Sequence, residues 1–174
     1  MFTLVYGGAA SGKSEFAESL AMRQKGSPRI YIATMELYDE ESRRRAARHL
    51  AMREGKGFTT MEQPRDLHLL PAQAGSSALL ECLSTLTANE CFGGVGAEAA
   101  AEHIIMGLDT LIERGIELVA VTGALTSDGI EYSEGTEEYL AALSAINIAA
   151  AKRAGRVYEV VDGIPNLIKG EDCP

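Results

Sequence analysis

The chain has 174 residues, 46% of them hydrophobic and 24% charged, with 16 Lys and Arg against 25 Asp and Glu for a formal net charge of −9. That length suits one domain over residues 1–174, and that apolar fraction fills a core, which excludes a disordered chain. A surface this acidic repels polyanions and argues against nucleic acid or anionic membrane as a partner, while a small phosphate ligand needs only a local site.

The first predicted strand is Phe2–Tyr6, and its start lacks the basic region of a signal peptide. A helix follows at Lys13–Gln24, a strand at Arg29–Ala33 and a helix at Asp39–Arg53. Phe58–Met61 is a candidate edge strand. Ser77–Glu81 is a strand, Leu83–Cys91 and Glu98–Arg114 are helices, and Glu117–Thr122 is a strand. A helix at Thr136–Ala154, a strand at Arg156–Val161 and a second candidate edge strand at Ile164–Ile168 complete the chain.

Leu79-Leu80 and Leu118–Val121 are continuously apolar, as strands covered on both faces are. Ile104, Ile105, Leu108, Leu111 and Ile112 fall on one helical face. Short apolar runs alternating with helical segments predict an α/β protein with a mostly parallel sheet. The glycine-rich Gly93–Gly96 and Ser127-Asp128-Gly129 read as loops within one domain. No apolar run approaches the roughly 20 residues of a membrane span. Cys82, Cys91 and Cys173 form neither a CxxC pair nor an even set, so they suggest neither a disulfide frame nor a zinc site and read as small buried hydrophobes or free thiols of a reduced, cytoplasmic protein.

Gly7-Gly8-Ala9-Ala10-Ser11-Gly12-Lys13-Ser14 fits G-x-x-x-x-G-K-[ST] between a predicted strand and a predicted helix. Glycines there let successive backbone N–H groups turn toward phosphate oxygens, and the helix N-terminus adds about half a positive charge. Lys13 is placed to reach the β- and γ-phosphates and the Ser14 hydroxyl to hold Mg²⁺. A second magnesium anchor is an acid at the end of an apolar strand, which Glu81 supplies.

A P-loop alone leaves the substrate open, because kinases, transferases, switches and motors share it. The chain carries no guanine-reading N-K-x-D tetrad and is short for a motor. In Asp39–Arg53 the acids Asp39, Glu40 and Glu41 come first and arginines follow, with Arg45 and His49 spaced i, i+4 on one face. Two readings remain open for it: a solvated, salt-bridged helix, or an arginine surface for triphosphate oxygens with a histidine nucleophile or acid–base among them. His68 and His103 lack comparable company and read as ordinary histidines.

Taken together, TLVYGGAASGKSEFAE at the start, YIAT at 31–34, RRAARHLAMR at 44–53, LLECLSTLTAN at 79–89 and VVDGIPNLIKG at 160–170 resemble one family. It is the bifunctional adenosylcobinamide kinase / adenosylcobinamide-phosphate guanylyltransferase family of cobalamin nucleotide-loop assembly. The resemblance implies a RecA-like P-loop sheet flanked by helices, a homotrimer, and ATP and GTP as substrates beside a corrinoid. It also implies phosphorylation of adenosylcobinamide, then transfer of GMP from GTP through a guanylylated histidine matching His49. Nucleotide contacts are implied at Gly7 to Ser14, at Ala33, Thr34 and Met35, at Leu50, Ala51, Met52 and Arg53, and at Glu62 and Glu81. Asn89 and Asn147 match recurring asparagines. The chain departs from the family where Gly123–Gly129 replaces an Asn-Glu-Val-Gly run, where Glu134, Glu137 and Glu138 replace arginines, and where Phe58 stands for a tryptophan. A kinase acting alone on a small alcohol and a non-catalytic GTP sensor are the alternatives.

Overall fold

In the computed structural model, which describes residues 1–36, 40–123 and 133–172, all seven apolar runs become strands of one sheet. Of Glu41, Ser42, Arg45, Arg48, His49 and Met52 only the backbone is described. The strands are β1 (Phe2–Gly7), β2 (Arg29–Ala33), β3 (Phe58–Glu62), β4 (Ser77–Glu81), β5 (Glu117–Gly123), β6 (Arg156–Val161) and β7 (Ile164–Lys169). The helices are α1 (Lys13–Arg23), α2 (Glu40–Met52), α3 (Leu83–Gly93), α4 (Ala97–Glu113) and α5 (Glu134–Arg153). The sheet order is β3-β2-β4-β5-β1-β6-β7, parallel throughout except for β7, which turns back antiparallel on β6. Both candidate edge strands are therefore strands, and both lie at the edges.

Alternation along each strand divides the core in two. Leu4, Ile30, Ile32, Ala78, Leu80, Leu118 and Ala120 face α4, α5 and the loop residues Leu67 and Leu70, where Ile104, Leu108, Leu111 and Ile146 close the layer. Val5, Tyr31, Leu79, Val119, Val121, Tyr158 and Val160 point the other way, against Ala17, Leu20 and Ala21 of α1. The expected α4 stripe buries Ile104, Leu108 and Leu111 completely, while Ile105 and Ile112 sit at its half-buried margin.

Gly107 is buried on α4, and a Cβ there would stand 2.7 Å from Cβ of Leu67. Glycine thus lets a short 3-10 turn, Leu67–Leu69, lie directly on the helix. The expected loop at 127–129 lies outside the described residues. Among the described residues no helix is long and apolar enough to cross a membrane.

Candidate active site

Parallel register sets the floor of a cleft of about 630 Å³ at the carboxyl ends of the strands. Glu62 pairs with Ala33, Ala33 with Glu81, and Glu81 with Val121, so these four form one row across β3, β2, β4 and β5. All four line the cleft. Two residues back on the same face, Thr60 and Tyr31 line it as well.

The P-loop closes one end. Gly12 is left-handed at φ 85° and begins α1 with no side-chain cap, so the first N–H groups of the helix remain available to an anion. At Gly7 a Cβ would meet the Val160 carbonyl oxygen at 2.5 Å and Ser11 Oγ at 2.6 Å, whereas at Gly8 it would meet nothing within 4 Å. Gly7 is thus demanded by the protein's own packing; Gly8 borders open space. Lys13 Nζ donates to the Gly8 carbonyl at 3.0 Å, folded back on its own loop. The turn between β6 and β7 braces the loop from behind, with Gly163 N–H donating to the Ser11 carbonyl at 2.8 Å.

The far wall is α2. Arg43, Ala46, Ala47 and Leu50 line the cleft, and Arg53, just past the helix, is buried at 8% exposure with its guanidinium carbon 3.2 Å from the Tyr31 ring centroid. Arg53 Nε has no hydrogen-bond acceptor among the described residues, which leaves a donor free at a buried position. Tyr31 donates to Glu81 Oε2 at 3.1 Å. Burial pushes the Tyr31 phenol well above its ordinary range; the Glu81 charge adds to this, and Arg53 opposes it.

Two further residues pin the row from below. Thr34, fully buried, donates through Oγ1 to the Glu81 carbonyl at 2.9 Å and accepts from the Cys82 N–H at 2.9 Å. Asn89 on α3 donates to the carbonyls of Thr34 (2.7 Å) and Pro64 (2.9 Å), joining the end of β2 to the segment after β3. Asn147 does similar work at the end of β5, accepting from the Thr122 hydroxyl at 2.7 Å.

Of the residues named from the sequence, Ala10, Lys13, Ser14, Ala33, Thr34, Met35, Leu50, Arg53, Glu62 and Glu81 come together around this cleft. Gly7, Gly8, Ala9, Ser11 and Gly12 form the loop at its end, and Ala51 is an exposed position of α2. The side chains of His49, Met52, Arg45 and Arg48 lie outside the described residues; in sequence His49 falls between Ala47 and Leu50, both on the cleft wall. Sequence reasoning missed Tyr31, Thr60, Arg43, Ala46 and Ala47. Strand alternation back from Ala33 and Glu62 would have found the first two. His68 and His103 are half-buried, and nothing in the sequence signals that their rings meet edge to face with centroids 5.0 Å apart. Packing of the Leu67–Leu69 turn on Gly107 brings them together, across 35 residues of sequence that carry no local signal of it.

The family model described as "Cobinamide kinase / cobinamide phosphate guanyltransferase" matches residues 3–168. The chain belongs to the cobinamide kinase / cobinamide phosphate guanyltransferase family. Similar proteins include the bifunctional adenosylcobalamin biosynthesis protein CobP of Pseudomonas aeruginosa, 32% identical over 98% of this chain and 99% of that one. Another is the bifunctional adenosylcobalamin biosynthesis protein CobU of Escherichia coli, 29% identical over 97% of this chain and all of that one. Among solved structures, the flagellar accessory protein FlaH of Methanocaldococcus jannaschii superposes with a TM-score of 0.51 at 11% identity, covering 98% of this chain and 78% of that one. That likeness concerns the fold alone. Membership of the family makes this chain one of an enzyme family, with a P-loop sheet as its scaffold.

Proposed function

We propose that this chain phosphorylates the aminopropanol hydroxyl of adenosylcobinamide with ATP or GTP, then transfers GMP from GTP to that phosphate, giving adenosylcobinamide-GDP. The observation that carries the reading is convergence: P-loop residues Lys13 and Ser14, the strand-end acid Glu81 and the wall of the helix containing His49 border one cleft. Its volume suits a nucleotide. A triphosphate seated on the P-loop N–H groups would run beneath α2, with Arg43 and Arg53 on the side where charge develops.

In the transferase half, an imidazole nitrogen of His49 attacks the α-phosphorus of GTP, the bond to the bridging oxygen breaks, and pyrophosphate leaves. The corrinoid phosphate oxygen then attacks the same phosphorus and returns the imidazole unchanged. In the kinase half, Lys13 exchanges the Gly8 carbonyl for the transferred phosphoryl group and holds its charge.

Mg²⁺ fits the donors present: Ser14 and Glu81 offer two hard oxygen ligands on one cleft, and the nucleotide supplies others. When bound it neutralises phosphate charge. Tyr31 aims Glu81 by its hydrogen bond. A homotrimer and a cytoplasmic location, where both nucleotides are found, complete the proposal; the exposed apolar residues of β7 support an interface there.

The deciding experiment is the intact mass of the full chain after GTP and Mg²⁺, wild type beside His49→Ala. An acid-labile increment of one GMP, absent from the variant, is the expected result. A chain that binds GTP without an adduct but phosphorylates adenosylcobinamide would be the kinase-only enzyme; one that does neither would be a sensor.

A further inference from the structure

Outside the lining of the nucleotide cleft, four side chains that the transfer chemistry does not use meet in one place. One ligand atom each of Asp66, His68 and His103 lies within 4.8 Å of the others. Asp66 Oδ1 stands 3.5 Å from His103 Nε2, and Glu90 Oε1 stands 3.1 Å from His103 Nδ1. Glu90 is 1% exposed, and its Oε1 also accepts the Asp66 N–H at 2.8 Å.

The polar accounting at this spot does not close. Glu90 Oε2, His68 Nδ1 and His103 Nδ1 are all buried without a hydrogen-bond partner among the described residues. Buried polar atoms in folded proteins are nearly always satisfied; Glu90 Oε1 stands beside His103 Nδ1, which leaves His68 Nδ1 as the buried ring nitrogen that calls for a missing group. His103 lies between two carboxylates, one on each ring nitrogen, with a second imidazole beside it. That arrangement concentrates lone pairs and negative charge around a small volume that a cation would complete. Asp66, half exposed, leaves a way in from solvent.

We propose that Asp66, His68 and His103 form a site for one divalent transition ion of the zinc class, with Glu90 orienting His103. Two imidazoles and a carboxylate are ligands for a borderline ion and not for Mg²⁺ or Ca²⁺, which prefer all-oxygen shells. Glu90 occupies the place of the buried carboxylate that receives the second ring N–H of a metal-bound histidine; a small ring rotation aligns the 3.1 Å contact. Separations up to 4.8 Å exceed the ~3.4 Å between ligands that a metal–nitrogen length of about 2.05 Å gives in a tetrahedron, so the side chains close by about an ångström on binding.

The ion would clamp the segment after β3 to α3 and α4. That segment is tied to the cleft through Asn89, which holds both Pro64 and Thr34, and through Gln63, whose N–H donates to the Ala33 carbonyl at 2.9 Å. With three protein ligands the fourth position is left to water, and none of the three lines the nucleotide cleft.

The test uses the full chain stripped by a chelator and titrated with Zn²⁺ alone by calorimetry, with Co²⁺ as an optical probe. Wild type should bind one equivalent, show the intense visible bands of tetrahedral Co²⁺, and gain about 7 °C in Tm at a hundredfold excess over Kd. His68→Ala, in the short 3-10 turn, should lose at least a hundredfold in affinity along with the Tm gain, and Asp66→Asn should lose tenfold or more. His49→Ala should bind Zn²⁺ as wild type does. The proposal is overturned if wild type shows no saturable binding, or if His68→Ala and Asp66→Asn bind as tightly as wild type. It is equally overturned if His49→Ala alone abolishes binding.

Discussion

Tyr31 shows how one side chain couples packing to the chemistry of the cleft. Its ring is covered by Arg53 on one side, its hydroxyl holds Glu81, and its burial keeps the phenol neutral far into the alkaline range. Because the folded-state pKa is raised above the unfolded value of about 10, the resulting stability is fully present below pH ~10. Above that, the unfolded chain ionises while the folded one does not, and stability falls as pH rises. Tyr31→Phe should flatten that alkaline decline, readable as urea midpoints from pH 8 to 11. At neutral pH the same variant removes the Tyr31 hydrogen bond from Glu81, and Mg²⁺-dependent turnover should drop roughly tenfold while nucleotide affinity changes little. An unchanged Mg²⁺ dependence would show that Glu81 needs no aiming.

At the scale of elements, α3 ties the chain just past β2 to the chain just past β3 beside the cleft. Asn89 makes that joint with two bonds from one amide, so Asn89→Ala orphans the Thr34 and Pro64 carbonyls together. The expected cost is about 2 kcal/mol in urea unfolding, together with weaker GTP binding as Thr34, on the cleft wall, loses its tie to the segment after β3. If stability falls but GTP binding does not, that tie contributes little to the nucleotide site. Nothing in the sequence near residue 89 announces this role, since both partners are more than two dozen residues away. Periodicity did reveal the strands and helices, within two residues at each end, because burial on both faces writes itself into Leu79-Leu80 and Leu118–Val121. The P-loop was legible because its backbone geometry requires Gly7 and Gly12 in sequence. The His68–His103 contact was not, because it depends on Gly107, one turn beyond His103 on α4, leaving room for a distant turn to lie on that helix.

At the scale of the molecule, the least finished surface is the β6–β7 hairpin. Every residue of β7 is exposed, including Ile164 at 64% and Ile168 at 59%, and β7 leaves one side of the sheet as an unpaired edge. Apolar side chains on an edge strand invite another chain, and a chain carrying −9 would otherwise keep its copies apart. A closed ring with the hairpin set against a different surface of the next copy satisfies both constraints. Light scattering should then give three times the 18.6 kDa chain mass, and the double substitution Ile164→Glu with Ile168→Glu should give the mass of one chain. Because Gly163 in the hairpin turn donates to the Ser11 carbonyl, the interface would also steady the P-loop. The dissociated variant should therefore bind GTP more weakly although neither residue touches the cleft. A monomeric wild type would remove the trimer from the proposal and leave the cleft chemistry intact. A trimeric variant would move the interface to another surface.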